Sequence, residues 1–431
     1  MVKRVIWAIT SVYQPSLPSL AKEVVLDSEM ERKEIQDLLI YFRGQFDLQE
    51  LEADRLFLAI EKEVRARALE KNWSLSQSSH ILDLVYASIR GYDVLEEFFH
   101  DPEITEIMVN AYDKIFIEKK GELFETGRSF VDESRYFDII QKMVADAGRE
   151  VNQRNPICDF RLKDGSRVNI VLSPLASKNA LTIRRFREKN FSLEDLVDMG
   201  SISQESMQFF RALVQAKYNI FICGGTGSGK TTFLNALSME IDGKERLITI
   251  EDARELSFDD KENWVALETR MPNAQGIGQV TIRDLIRTSL RMRPDRIIVG
   301  EVRGEEAIDM LQALNTGHDG SFSTGHSNSV QDMQFRLETM ILSNSQSLPL
   351  QAVRQQIASA IDFFVHLSRF PDRSRRMVSI EEVYWEDGNI AYNPIFVLDD
   401  QMQLTYTGKK LRNEEKFKRM GIENPLEELY A

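Results

Sequence analysis

Apolar positions change their period three times along this chain of 431 residues. From Lys22 to about Gly91 they recur at helical spacing. Leu38, Leu39 and Phe42 form one stripe, Leu56, Ile60 and Val64 a second, and Leu82, Val85 and Ile89 a third. Such stripes predict about three helices that bury these residues against one another. Ahead of them, residues 1–20 are expected to hold a strand and a turn marked by Pro15 and Pro18. Lys3 and Arg4 before a short apolar run resemble a signal peptide only faintly, because Thr10, Ser11 and Gln14 break the run early.

From Tyr92 the pattern shortens to β-rich runs at 104–109, 114–119, 167–172 and 180–185, with Lys120-Gly121 and Asp164-Gly165 as turn signals. A helical stretch at 136–147 falls between them, so an α+β domain of residues 92–190 is expected after a helical region of residues 1–91. From about Met207 strands alternate with helices. Residues 219–223, 246–251, 264–268, 296–300 and 321–323 read as strands, and 281–291 and 305–315 as helices. Alternation of this kind predicts a largely parallel sheet with its ligand at the carboxyl ends of the strands. Strand-like runs at 363–367, 377–385 and 390–398 and a charged helical end complete a third domain, residues 191–431.

The strand at 219–223 leads into Gly224-Gly225-Thr226-Gly227-Ser228-Gly229-Lys230-Thr231-Thr232 and then a helix. This is the phosphate-binding pattern G-x-x-x-x-G-K-[ST] in its proper strand–loop–helix setting. Glycines let backbone N–H groups approach a phosphate closely, and a helix N-terminus favours negative charge. Lys230 would reach the outer phosphates of ATP, and the Thr231 hydroxyl would hold Mg²⁺.

Composition narrows the picture. The formal net charge is −14, which argues against a nucleic-acid groove, since phosphate contacts need a basic surface. The two cysteines, Cys158 and Cys223, are far apart and form no C-x-x-C pair, so neither a cysteine zinc site nor a disulfide framework is expected. No apolar run approaches the ~20 residues of a membrane span. A reducing cytoplasm suits such a chain.

Hydrolysis needs more than a phosphate cradle. Two apolar strands end in acids, one at Glu251-Asp252 and one at Gly300-Glu301, and both ends would face the crevice of the phosphate loop. Glu301 is the candidate to orient the attacking water, with Glu251 and Asp252 acting on the metal shell through water. His318 and His326 share one glycine-rich stretch, where a histidine can sense a terminal phosphate. His80, His100 and His366 read as packing residues. Among cations, Arg283, Arg287 and Arg291 line one helix face with Arg293 nearby. Arg161, Arg167, Arg184 and Arg185 lie on or beside strands of the α+β domain. An arginine delivered from another domain or subunit would act on developing charge.

Four segments, GGTGSGKTT, IEDARELSF, LRMRPDRIIVGEVRGEEA and TGHDGSFSTGHSNS, occur in the order of the Walker A loop, Asp box, Walker B strand and His box of the type II/IV secretion ATPase superfamily. The resemblance spans roughly residues 92–370 and most resembles the Flp (tight-adherence) pilus assembly branch. It implies a RecA-like P-loop domain preceded by a PAS-like α+β domain, and a homohexameric ring at the cytoplasmic face of an inner-membrane pilus or secretion platform. It implies ATP and Mg²⁺ as ligands and no nucleic acid. Carried over by position, Lys230 and Thr231 are the phosphate and metal residues, Glu301 the Walker B glutamate, Glu251 the Asp-box acid and His326 the His-box histidine. Arg161, Arg167 and Arg184 match nucleotide-facing arginines. Gly300 stands where many ATPases carry an aspartate, so metal binding would rest on Thr231, phosphate oxygens and water.

Overall fold

The structure is a computed structural model that describes residues 28–45, 53–119, 121–186, 191–258, 261–270, 272, 277–344 and 348–427. The strand and turn expected at 1–20 lie outside these residues. The chain divides into two compact units, Met1–Phe186 and Arg187–Ala431.

The first unit opens with helices Ser28–Gln45, Ala53–Lys71 and Leu75–Arg90. Leu38, Leu39, Phe42, Leu56, Ile60, Val64, Ile81 and Val85 form their shared core, with Leu82 and Ile89 packed against it. Ser74 caps the third helix in a capping box with Gln77, which fixes where it starts. After it come β1 (Ile104–Ala111), β2 (Lys114–Lys119), β3 (Glu122–Glu125), β4 (Ile157–Arg161), β5 (Arg167–Val171) and β6 (Ala180–Arg184). They form one antiparallel sheet in the order β3-β2-β1-β6-β5-β4. Strands β3 and β4 escape the sequence pattern. All of β3 is exposed, and β4 alternates only in its inward Cys158 and Phe160, so neither carries a long apolar run. Helix Glu133–Asp146 lays Tyr136, Ile139, Ile140, Met143 and Val144 into the same core as Ile107, Val168 and Ile183.

The second unit is built on a nine-stranded sheet. Its strands are β7 (Ile220–Gly224), β8 (Leu247–Glu251), β9 (Trp264–Glu268), β10 (Arg296–Val299), β11 (Phe322–His326), β12 (Phe363–Arg369), β13 (Arg375–Glu386), β14 (Asn389–Leu398) and β15 (Leu404–Tyr406). The order is β15-β14-β13-β12-β7-β11-β10-β8-β9. From β12 to β9 every pairing is parallel, and the tail strands β13 to β15 pair antiparallel. Thus the expected parallel sheet is extended by an antiparallel edge. Strand β7 lies between β11 and β12, with β10 on the far side of β11.

Alternate residues of one strand serve two cores. Ile220 and Ile222 face a cluster with Phe210, Phe233 and Phe363, while Phe221 and Cys223 face another with Met310, Met333 and Ile357. A parallel sheet covered on both faces requires such unbroken apolar strands. Helices Gln204–Gln215 and Lys230–Met239 cover the first face, and Ile282–Ser289, Glu306–Asn315, Val330–Asn344 and Leu350–Ala360 the second. The carboxyl ends of β7, β8, β10 and β11 thereby bring Gly224, Glu251, Val299 and His326 to one edge.

Candidate active site

The phosphate loop leaves β7 at Gly224 and re-enters helix at Lys230. A side chain at Gly224 would collide with the Leu367 carbonyl of β12 and the Ser228 hydroxyl. Gly229 turns the chain at φ 97° and caps the helix without a side chain, a conformation that costs other residues more. The first-turn N–H groups are therefore left to the loop side, where a helix N-terminus attracts anions. Lys230 is 7% exposed. Its Nζ donates to the carbonyls of Gly224 (3.0 Å) and Gly225 (2.9 Å) and lies 3.3 Å from His326 Nδ1. Burial lowers its pKa, and the Glu301 charge opposes that shift.

Glu301 is held from both sides. The Gly300 N–H donates to Ile250 O (2.8 Å), Thr324 Oγ1 donates to Gly300 O (2.6 Å), and the Val302 N–H donates to Thr324 O (2.9 Å). Its Oε2 accepts from Arg303 Nη2 at 2.8 Å, and Oε1 lies 3.0 Å from His326 Nε2. That second approach is close in distance but off the hydrogen-bond line, since Oε1 is buried without a hydrogen-bond partner among the described residues. Burial raises the Glu301 pKa, but Arg303, His326 and Lys230 together outweigh it and leave the carboxyl below its ordinary value. Burial, Lys230 and Arg303 hold the His326 imidazole below its ordinary value, against the pull of Glu301. A neutral ring with Nδ1 toward an ammonium and Nε2 toward a carboxylate carries its proton on Nε2. Lys230, His326, Glu301 and Arg303 thus lie in series at the mouth of the loop, with hydrogen-bond contacts at the Lys230–His326 and Glu301–Arg303 steps and a close electrostatic approach between His326 and Glu301.

Glu251 is 4% exposed, and its Oε1 accepts the N–H groups of Glu255 (2.8 Å) and Leu256 (3.1 Å). It anchors the segment after β8. A side chain at Gly300 would meet Glu251 Cγ at 2.8 Å, so Glu251 fills the space an aspartate there would need. The acids this segment presents are Asp252, whose Oδ2 lies 3.6 Å from Arg303 Nη1, and Glu255, whose charge acts on both Lys230 and Arg303. Glu255 was not among the acids singled out from the sequence; its only signal is its place four residues after Glu251. Arg303 was legible only as a cation two residues after Glu301.

Several expected contributors lie elsewhere. His318 Nδ1 is 3.0 Å from Ala313 O at the end of its helix, a capping contact. Arg283 donates to Asp309 (2.8 Å) and Glu305 (2.9 Å), and Arg287 to Asp309 (2.9 Å). Within the chain these two arginines tie neighbouring helices together. Two residues from the tail do reach it. Arg375 Nε donates to Gly227 O at 2.9 Å, and Arg369 Nη1 lies 3.8 Å from where a Gly227 Cβ would be. Nothing local in the sequence points to them.

In the first unit, Arg161 pairs across the ladder with Arg167, and Arg167 with Arg184. The three occupy one register row on the sheet face opposite Phe160, Val168 and Ile183. Like charges placed directly opposite repel, so the row concentrates positive charge on one face of the sheet. Arg185 instead donates to the carbonyls of Phe98 (3.0 Å) and Asp101 (2.6 Å).

The residues present fit a nucleotide triphosphate. Ser228 Oγ is buried beside the loop with no hydrogen-bond partner among the described residues, a donor a phosphate oxygen would satisfy. A cavity of about 530 Å³ opens at Gly225, Thr226 and His326 and runs to Asp332 and Arg336. Thr231 and Thr232 are half-buried in the first helical turn. Among the described residues no group of three or more His, Cys, Asp or Glu side chains converges to hold a metal.

Residues 90–394 match the family described as type II/IV secretion system protein. A Mycobacterium tuberculosis protein with a provisional conjugal-transfer name is 33% identical over 328 residues, 74% of this chain and 92% of that one. Type IV secretion system protein PtlH of Bordetella pertussis is 32% identical over 312 residues, 66% of this chain and 91% of the relative. The VirB11 ATPase of the Brucella suis type IV secretion system is 28% identical with a TM-score of 0.38, covering 68% of this chain and 96% of that structure. The glycine-rich loop, the acids and histidine at neighbouring strand ends, and a match over most of the chain lead to one assignment: this protein is a member of the type II/IV secretion system family.

Proposed function

We propose that the chain is a Mg²⁺-dependent ATPase that powers assembly of a Flp (tight-adherence) type pilus, or protein secretion, at the inner face of the cell membrane. The observation that carries the catalytic part is the Lys230–His326–Glu301 chain at the mouth of the phosphate loop. Gly224 to Thr232 would bind the phosphates, with Thr231 on Mg²⁺, which would neutralise charge on the transferred phosphoryl group. Glu301, ionised well below neutral pH, would orient water and take up its proton. Neutral His326 would hold Glu301 and Lys230 in register. Glu255 and Asp252 stand beside Arg303 as further acids, and Glu251 would act by holding their segment. Arg161, Arg167 and Arg184 would meet the nucleotide from the α+β domain.

The motor reading also takes in a homohexamer and a membrane platform protein as partners. Among the described residues no helix is long and apolar enough to cross a membrane. The names of the relatives favour a second reading, a conjugal-transfer or type IV secretion ATPase. Phosphate release by the purified chain, followed with protein concentration and with molar mass by light scattering, tests the assembly. Turnover that rises with concentration as the mass grows toward a ring supports it. Full turnover from a monomer contradicts it.

A further inference from the structure

The carbonyls of the phosphate loop are held by two cations. Lys230 takes those of Gly224 and Gly225, and Arg375 takes that of Gly227. A carbonyl dipole turned inward would repel a phosphate. In a trans peptide the C=O and the following N–H point in opposite directions. Holding the Gly227 carbonyl toward Arg375 therefore turns the Ser228 N–H into the loop, where it makes only a long 3.4 Å contact with Gly225 O.

Arg375 is itself fixed at its backbone. Ser201 Oγ donates to Arg375 O at 2.7 Å, and the Met377 N–H donates to Ser201 O at 2.9 Å. Ser201 follows the helix Leu193–Asp198, the first helix after the junction of the two units. The same β12–β13 hairpin meets the loop again where Leu367 pairs with Gly224. A side chain from the tail, 148 residues beyond Gly227, thus shapes the loop from a backbone shared with the start of the second unit.

We propose that Arg375 is a positioning residue that sets the phosphate loop for the nucleotide and ties its geometry to the Gly200–Ser201 turn. The proposal rests on the nucleotide reading of that loop. A charge-assisted hydrogen bond to a neutral carbonyl is strong enough that its loss weakens binding on the order of tenfold.

The test is equilibrium binding of a fluorescent ATP analogue to the full chain, with hydrogen exchange over residues 225–228 and 199–203. The variants are Arg375→Ala, Arg375→Lys and, as a control, Lys230→Ala. The expected result for Arg375→Ala is a dissociation constant raised about tenfold, with faster exchange in both segments and an unchanged melting midpoint. Arg375→Lys, which keeps one donor, should recover part of the loss. If Arg375→Ala does not fold, Arg375→Lys decides, and a dissociation constant equal to wild type overturns the proposal. It is likewise overturned if Arg375→Ala binds like wild type while Lys230→Ala does not, an outcome that leaves the nucleotide reading intact. A wild-type chain that binds no analogue overturns both.

Discussion

His326 Nε2 lies 3.0 Å from Glu301 Oε1 while the other ring nitrogen faces Lys230. One imidazole therefore spans the cation of the phosphate loop and the acid at the end of β10. It can do so only while neutral, because a second ring proton would face the Lys230 ammonium.

This gives a signed pH dependence. Burial and Lys230 hold the His326 pKa below its ordinary value, so the neutral ring persists through pH 7 and charges only below about 6.5. For a base with a lowered folded pKa, the unfolded chain binds the proton first. The stability contribution is then full above the ordinary pKa and falls as pH drops toward the folded one. Turnover should be flat from about pH 7 to 8 and fall on the acid side. His326→Gln should lower turnover and abolish that acid limb. A limb unchanged in the variant would show that another group titrates.

Glu251 and Glu255 should separate cleanly. Glu251→Ala strands two backbone N–H groups in the interior and should cost about 2–4 kcal/mol by denaturant unfolding. Glu255→Ala should stay within about 0.5 kcal/mol of wild type yet lower turnover at least roughly tenfold. Gly300→Ala should destabilise alone and couple to Glu251→Ala, because the added methyl meets Glu251 Cγ. The reverse pattern, a stable Glu251→Ala with full loss of turnover, would return Glu251 to the chemistry.

Asp309 is 6% exposed and receives both Arg283 and Arg287. Asp309→Ala should lower stability by about 1–3 kcal/mol with nucleotide affinity unchanged. Weakened affinity at full stability would make these arginines ligands after all.

The sequence disclosed what is local and periodic. The loop from Gly224 to Thr232 and the strand ends at Glu251, Glu301 and His326 are each written in a few consecutive residues. Strand β7 is legible because a parallel strand buried on both faces must be continuously apolar. Exposed edge strand β3 carries no such constraint. Side-chain destinations were hidden for a different reason. Nothing near Glu251 shows that its carboxylate accepts the backbone N–H groups of Glu255 and Leu256. Nothing near Arg375 shows that β12 and β13 bring it to Gly227. Helical spacing aligned Arg283 with Arg287 correctly, but only the fold shows Asp309 opposite them.

The most direct measurement is ATP binding and phosphate release by Glu301→Gln beside wild type. The glutamine keeps the shape of the side chain and removes the proton acceptor. The account predicts wild-type affinity with release slowed about 10²–10⁴-fold. Release at the wild-type rate would contradict it, because the acid at the end of β10 would then have no part in the reaction.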